Sequence, residues 1–133
     1  MKRLKARDVM IRPVVSATPH ASARDIALQF LSGFYSGMPV TDDAGKVVGM
    51  VTEYDLLKNI QKGKELTKLN ARDVMAKSPL TVDVETPLSE VIKTMIDNRI
   101  IRLPVVEKER LVGVISRCDI LKSFIEPEFA TYM

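Results

Sequence analysis

The sequence predicts an α+β fold made of two β-α-β-β-α halves packed about a pseudo-two-fold axis. Three observations predict it. The first is an internal repeat: ARDVM occurs at residues 6–10 and again at 71–75, and the same offset pairs Ser16 with Thr81, Ile26 with Val91, Phe30 with Met95 and Pro39 with Pro104. The second is a recurring strand–turn–strand–helix pattern. GMPVTDDAGKVVGMVTEYDLL, from Gly37 to Leu57, returns as RLPVVEKERLVGVISRCDILK, from Arg102 to Lys122, with one residue fewer in the turn. The third is length. A chain of 133 residues fits one compact domain or two small interlocked halves. Two copies are too few to stack as a solenoid, so face-to-face packing suits them better.

Each copy opens with a short helical turn and an extended segment, Val14 to Ala17 in the first and Leu80 to Val84 in the second. In the first copy Ala21 or Ser22 starts a helix with Ile26, Phe30, Leu31 and Phe34 facing inward at helical spacing. Gly33 and Gly37 bracket its end. Strands Met38–Thr41 and Lys46–Thr52 flank a turn at Asp43-Ala44-Gly45, because β-branched and apolar runs are bounded there by turn residues. A helix from Glu53 to about Gln61 turns Leu56, Leu57 and Ile60 inward. Polar residues from Lys62 to Leu69 link the copies, so the repeats divide as 1–65 and 66–133. Asn70, with Asp73 three residues on, caps the next turn.

In the second copy Thr86 is an N-cap with Pro87 at the first helical position. Leu88, Val91, Ile92, Met95 and Ile96 form the apolar stripe. Strands Leu103–Val106 and Arg110–Ser116 follow, then a helix to about Ile125 that Pro127 ends. Phe129 and Tyr132 are expected against the body or a partner.

Composition narrows the function. Hydrophobic residues make up 46% of the chain, enough for a core, and with 5% aromatics and no Trp that core must be aliphatic. Twenty basic residues against seventeen acidic leave +3, too little and too scattered to argue for a nucleic-acid groove. The single cysteine, Cys118, excludes an internal disulfide and a Cys-rich zinc site. His20, the one histidine, has no companion at metal spacing, which argues against a metal site and against a catalytic triad. The basic start MKRLKARDVM has no apolar run behind it and no stretch reaches membrane-spanning length, so a soluble cytoplasmic protein is expected.

The chemistry concentrates at Thr52-Glu53-Tyr54-Asp55 and Ser116-Arg117-Cys118-Asp119. A hydroxyl three residues before an acid at a helix start is a capping-box variant, and as a lone motif that explains it. The same geometry also suits a nucleotide. Free helix N–H groups suit a phosphate, and a nearby Asp accepts from the vicinal hydroxyls of a ribose. Gly37, just before Met38-Pro39, lets a flat base approach the main chain. Capping alone does not require all of this twice.

Two tandem copies of an apolar-Pro-Val-apolar strand, then Gly within a second strand and [Thr/Ser]-x-x-Asp, behind a Val-Met opening, resemble a pair of CBS domains, the arrangement called a Bateman module. The match covers about Lys5 to Ile125. The resemblance implies an adenosine ligand (AMP, ADP, ATP or S-adenosylmethionine) in clefts between the copies. It places Asp55 and Asp119 on the ribose hydroxyls, and Thr52 and Ser116 at the ribose or phosphate. Ser16 and Thr81 edge the base or ribose, while Gly37, Met38, Pro39, Leu103 and Pro104 line the adenine slot. Arg102 stands where related proteins reach phosphate, and Gly37 is its counterpart, so the two sites are unequal. The resemblance also implies a regulatory homodimer without catalytic residues, acting on a separate effector protein. The competing reading is an interaction module that binds no ligand.

Overall fold

A computed structural model describes residues 3–33 and 35–132, with side chains to residue 125. It has an α-helix α1 (Ala6–Val9), α2 (Ala23–Gly33), strands β1 (Gly37–Thr41) and β2 (Val47–Thr52), α3 (Glu53–Gln61), a 3-10 turn (Leu66–Lys68) and α4 (Ala71–Val74). Strands β3 (Ala76–Lys77) and β4 (Val82–Asp83), α5 (Leu88–Asp97), β5 (Arg102–Glu107), β6 (Arg110–Ser116) and α6 (Arg117–Tyr132) complete it. There are two three-stranded sheets, in the orders β1-β2-β3 and β4-β5-β6. The mixed α and β content expected from the repeats is present.

The chain forms two compact units, and each borrows a piece of the other repeat. One comprises Val15–Pro79 with Glu109–Leu111; the other comprises 1–14, Leu80–Lys108 and Val112–Met133. We call them the first-repeat and second-repeat units. In the first-repeat unit, Ala71 and Val74 of α4 are buried with Ala23, Ile26, Phe30, Met38, Val40, Val51 and Leu56. In the second-repeat unit, Ala6 and Val9 of α1 are buried with Val82, Leu88, Val91, Met95, Leu103, Val105 and Ile115. The two copies of the ARDV turn thus close the core of the repeat that is not their own. Matching main-chain bonds seat them: Ala71 and Arg72 donate to Ala21 and Pro19 (2.8 and 3.0 Å), as Ala6 and Arg7 donate to Thr86 and Val84 (2.9 and 3.0 Å). The segment between α3 and α4, which includes the 3-10 turn, returns the chain so that α4 packs on the core that Leu56 of α3 has already entered.

This exchange explains β3, which the repeat pattern does not signal. Ala76 pairs with Met50 at the edge of the first sheet, and Ile11 forms the equivalent isolated bridge to Val114. The expected first strand of each copy is short. Val82 and Asp83 pair in parallel with Val105 and Val106, while in the first copy only Ala17 bridges, to Val40. Lys5 and Arg7 add ion pairs to Glu85 (2.6 and 2.5 Å), and Arg7 a longer one to Glu107. Hydrogen bonds from Lys5 and then Arg7 hold the Glu85 carboxyl below the usual glutamate range. These groups are solvent-exposed, so apolar burial rather than charge seats α1.

Several expected details differ. Leu31, Leu57, Ile60 and Ile96 are exposed rather than inward, because the stripe each helix buries is narrower than its run of apolar residues. Phe34 lies outside the described residues, as do the side chains of Phe129 and Tyr132. Pro87 is itself the N-cap of α5, and Thr86 Oγ1 instead accepts from Asp83 N–H (3.1 Å). Helix α6 continues through Pro127 to Tyr132. A proline removes one ladder bond, and here the flanking turns carry the helix past it. The core is aliphatic as expected: among the described residues Phe30 is the one buried aromatic.

Gly49 and Gly113 face the methionines that end the ARDVM turns. A Cβ on Gly113 would overlap the Met10 side chain, and one on Gly49 that of Met75. Gly113→Ala should therefore destabilise the protein by about 1–3 kcal/mol through overpacking, and adding Met10→Ala should recover part of that loss. Urea denaturation of the single and double variants measures both.

Candidate functional site

Equivalent corners form in both units where the second hairpin strand enters a helix. In the first-repeat unit, antiparallel pairing sets Gly37 opposite Thr52 and Pro39 opposite Met50. Thr52 is the N-cap of α3. Its N–H and its hydroxyl both donate to Asp55 Oδ2 (2.8 and 2.9 Å), and Asp55 N–H donates back to Thr52 Oγ1 (3.3 Å). Asp55 is 7% exposed, the one buried charged residue among those described. Lys58 Nζ lies 3.8 Å from its Oδ1 and 5.0 Å from the centroid of the Tyr54 ring.

Ser16 is brought to this corner by its neighbour. Ala17 donates to Pro39 O and accepts from Thr41 N–H, both at 2.9 Å. That clamps the segment alongside β1 and leaves Ser16 exposed beside Pro39. Gly37 is buried, yet a Cβ there would meet only ordinary contacts of 3.6–3.9 Å. Packing within the unit therefore does not demand glycine at this position.

The second-repeat unit repeats the plan. Ser116 N–H donates to Asp119 Oδ2 (2.7 Å), and Asp119 N–H donates to Ser116 Oγ (3.2 Å). Thr81 is exposed and precedes Val82, whose parallel partner is Val105. That sets Thr81 beside Pro104. Arg102 is half-buried at the start of β5. Arg117, the first residue of α6, donates from its N–H to Ile101 O (3.1 Å) and from Nε to Ile100 O (3.0 Å).

All twelve residues singled out from the sequence thus fall on these corners, six to a unit. Their side chains are not equally placed. Met38, Pro39, Leu103 and Pro104 are almost fully buried, so what they present at the surface of a corner is main chain. Sequence reasoning passed over Tyr54 and Lys58, and left Arg117 open between a phosphate contact and a solvated helix-start arginine. The i, i+3 spacing of Asp55 and Lys58 was the available signal.

The capping boxes are formed, so Asp55 and Asp119 have a local role whatever else they do. Similar boxes cap the exchanged turns, where Lys5 N–H reaches Asp8 and Asn70 pairs reciprocally with Asp73. Cys118 is an exposed free thiol. Among the described residues no group of three or more His, Cys, Asp or Glu side chains could hold a metal, and no helix is long and apolar enough to cross a membrane.

The CBS domain family matches the chain twice, over residues 6–62 and 71–126. The chain belongs to the CBS-domain family. As a CBS pair it is 30% identical over 129 residues to an uncharacterized protein of Methanopyrus kandleri, covering 96% of this chain and 65% of that one. It is 32% identical over 127 residues to inosine-5'-monophosphate dehydrogenase of Methanocaldococcus jannaschii, covering 95% of this chain and 25% of the enzyme. The CBS pair therefore spans less than two thirds of either relative. The crystal structure of the CBS-pair protein CBSX2 from Arabidopsis thaliana superposes with a TM-score of 0.84 at 25% identity, covering 96% of this chain and 98% of that one. CBSX2 in complex with AMP superposes with a TM-score of 0.82, also at 25% identity, covering 92% and 97%.

Thr52→Ala removes the hydroxyl that caps α3, and Ser116→Ala the one that caps α6. Each should lower stability by about 0.5–2 kcal/mol, read as a shift in the urea midpoint without a change in slope.

Proposed function

We propose that this CBS pair is a regulatory module that binds an adenine nucleotide (AMP, ADP or ATP) at its [Thr/Ser]-x-x-Asp corners and acts on a separate effector protein. One observation carries the reading. A hydroxyl, a carboxylate and a closely approachable strand are assembled twice, and in the first-repeat unit the carboxylate is buried. Burying a charge is costly unless it is paired, and Thr52 satisfies one oxygen of Asp55 while leaving Oδ1 toward a distant Lys58 ammonium. Two vicinal ribose hydroxyls are suitable donors for such an oxygen, and the positive end of the helix dipole favours a phosphate nearby. The AMP complex of CBSX2 supports this class of ligand. A ligand changes what the module does only through unequal affinity for two arrangements of it.

Calorimetric titration with AMP, ADP, ATP and S-adenosylmethionine tests this. Saturable binding of an adenine nucleotide is expected, weakened at least about tenfold by Asp55→Ala or Asp119→Ala; a tenfold loss corresponds to about 1.4 kcal/mol. Absence of heat and of any melting-temperature shift with all four would leave a ligand-free interaction module in its place.

We also propose that the module is a homodimer. Leu31, Leu57 and Ile60 in one unit and Ile96, Leu121 and Phe124 in the other are exposed at equivalent helical positions. Uncharged apolar faces of matched chemistry suit a self-complementary contact with a second copy. Light scattering should give a dimer for the wild type and a monomer for the Leu57→Asp, Leu121→Asp double variant. A monomeric wild type would refute it.

A further inference from the structure

Met10 and Met75 end the two exchanged turns, and each lies along a strand rather than inside a core. Around the point where a Cβ on Gly113 would sit, the nearest atoms are Sδ, Cγ and Cβ of Met10, in that order; around the same point on Gly49 they are Sδ, Cγ and Cβ of Met75. The thioether sulfur is therefore the atom that meets the strand, and the glycine leaves room for it. Both side chains pack on the core that their turn closes, yet both are only half-buried. The other described methionines, Met38, Met50 and Met95, are buried.

The main chain holds both sulfurs in place. The N–H groups of Met10 and Met75 donate to Ala6 O and Ala71 O, each at 2.9 Å, and the residues that follow, Ile11 and Ala76, pair with Val114 and Met50. With the turn fixed before the methionine and the pairing fixed after it, the side chain has no backbone swing by which to leave. A chemical change at the sulfur is therefore felt by the strand beneath. That strand runs on from Gly113 to Ser116 in one unit, and from Gly49 to Thr52 in the other, into the helix that follows.

We propose that Met10 and Met75 are a duplicated oxidation site, modified reversibly by hydrogen peroxide, and that the modification loosens the turn closing each unit. The sulfur lone pair attacks one peroxide oxygen, the O–O bond breaks, an S–O bond forms and water leaves; sulfur loses two electrons and peroxide gains them. A dithiol reverses the step, taking the oxygen away as water and itself becoming a disulfide. Exposure selects which sulfur reacts, and the fold exposes the same one in each repeat. The product is a polar, chiral group where a flexible apolar one was packed. Its oxygen either overlaps the glycine strand or draws the sulfur out toward water, and both weaken the cover over the core. Neither requires a ligand at the corners.

The test uses the full chain carrying Cys118→Ser, so that the exposed thiol does not consume peroxide. Under native conditions, peptide mass mapping should show Met10 and Met75 gaining oxygen at least about tenfold faster than Met38, Met50 and Met95. The difference should vanish in concentrated urea, where no sulfur is covered. Oxidation stopped once Met10 and Met75 have reacted should lower the urea midpoint, and methionine sulfoxide reductases for both epimers, supplied with a dithiol, should restore it. In the Met10→Leu, Met75→Leu double variant, which keeps the apolar volume, the same peroxide dose should leave the midpoint where it was. Equal rates at all five methionines, or an unchanged midpoint once Met10 and Met75 carry oxygen, would overturn the proposal. So would an equal fall in the leucine variant, which would assign the loss to another residue. Mapping and denaturation of the parent protein decide the first two outcomes whether or not the variant folds.

Discussion

Each core here is closed by a four-residue turn that its own repeat does not supply. The turns are small at the point of contact: Ala6 and Ala71 are fully buried, and Val9 and Val74 nearly so. An alanine at that position lets the main chain of the turn approach the helix and sheet beneath it. The methionine that follows each turn reaches across the glycine of the second hairpin strand, Met10 over Gly113 and Met75 over Gly49. A small sheet with two helices has little apolar surface to bury, so losing this cover would cost a large share of what holds it together. The hairpin that bears each corner is packed beneath the same turn, so the position of the corner depends on the turn being in place.

In the proposed function the corners put one set of atoms to two uses. Asp55 Oδ2 and Thr52 Oγ1 complete a helix cap, and the cap fixes where Oδ1 sits. A carboxylate already held by two donors loses little further freedom when a ligand arrives, which is the advantage of preorganisation. Under the proposed function the cap is the scaffold for recognition rather than an alternative to it.

Much of this was legible in the sequence. The hairpins and the helices that follow them were readable because turn residues bound β-branched runs, and because each pattern appeared twice. The corners were readable because Thr52 with Asp55, and Ser116 with Asp119, fix a helix start and the chemistry on it together. What was not legible depends on packing across long sequence separations. Nothing local in Ala6–Val9 says that it covers the core built from Val82 to Ile120, and β3 is a strand only because β2 presents it with an edge. Leu57 and Ile60 have the spacing of core residues, and only the width of the buried stripe on α3 excludes them. Lys58 reads as surface charge in the sequence, and only the fold sets it between the Asp55 carboxylate and the Tyr54 ring.

The exchange of turns also sets an order of events. As the chain leaves the ribosome, everything from Val15 to Pro79 is available to assemble early, whereas Arg3 to Val14 must wait for strands and helices made last. Until then Ala6 and Val9 have no core to enter, and that unit is closed by a segment made well before the strands it covers. The same path runs in reverse under load. A pull applied at Arg3 is delivered to the second-repeat unit, where Ala6 and Val9 are packed.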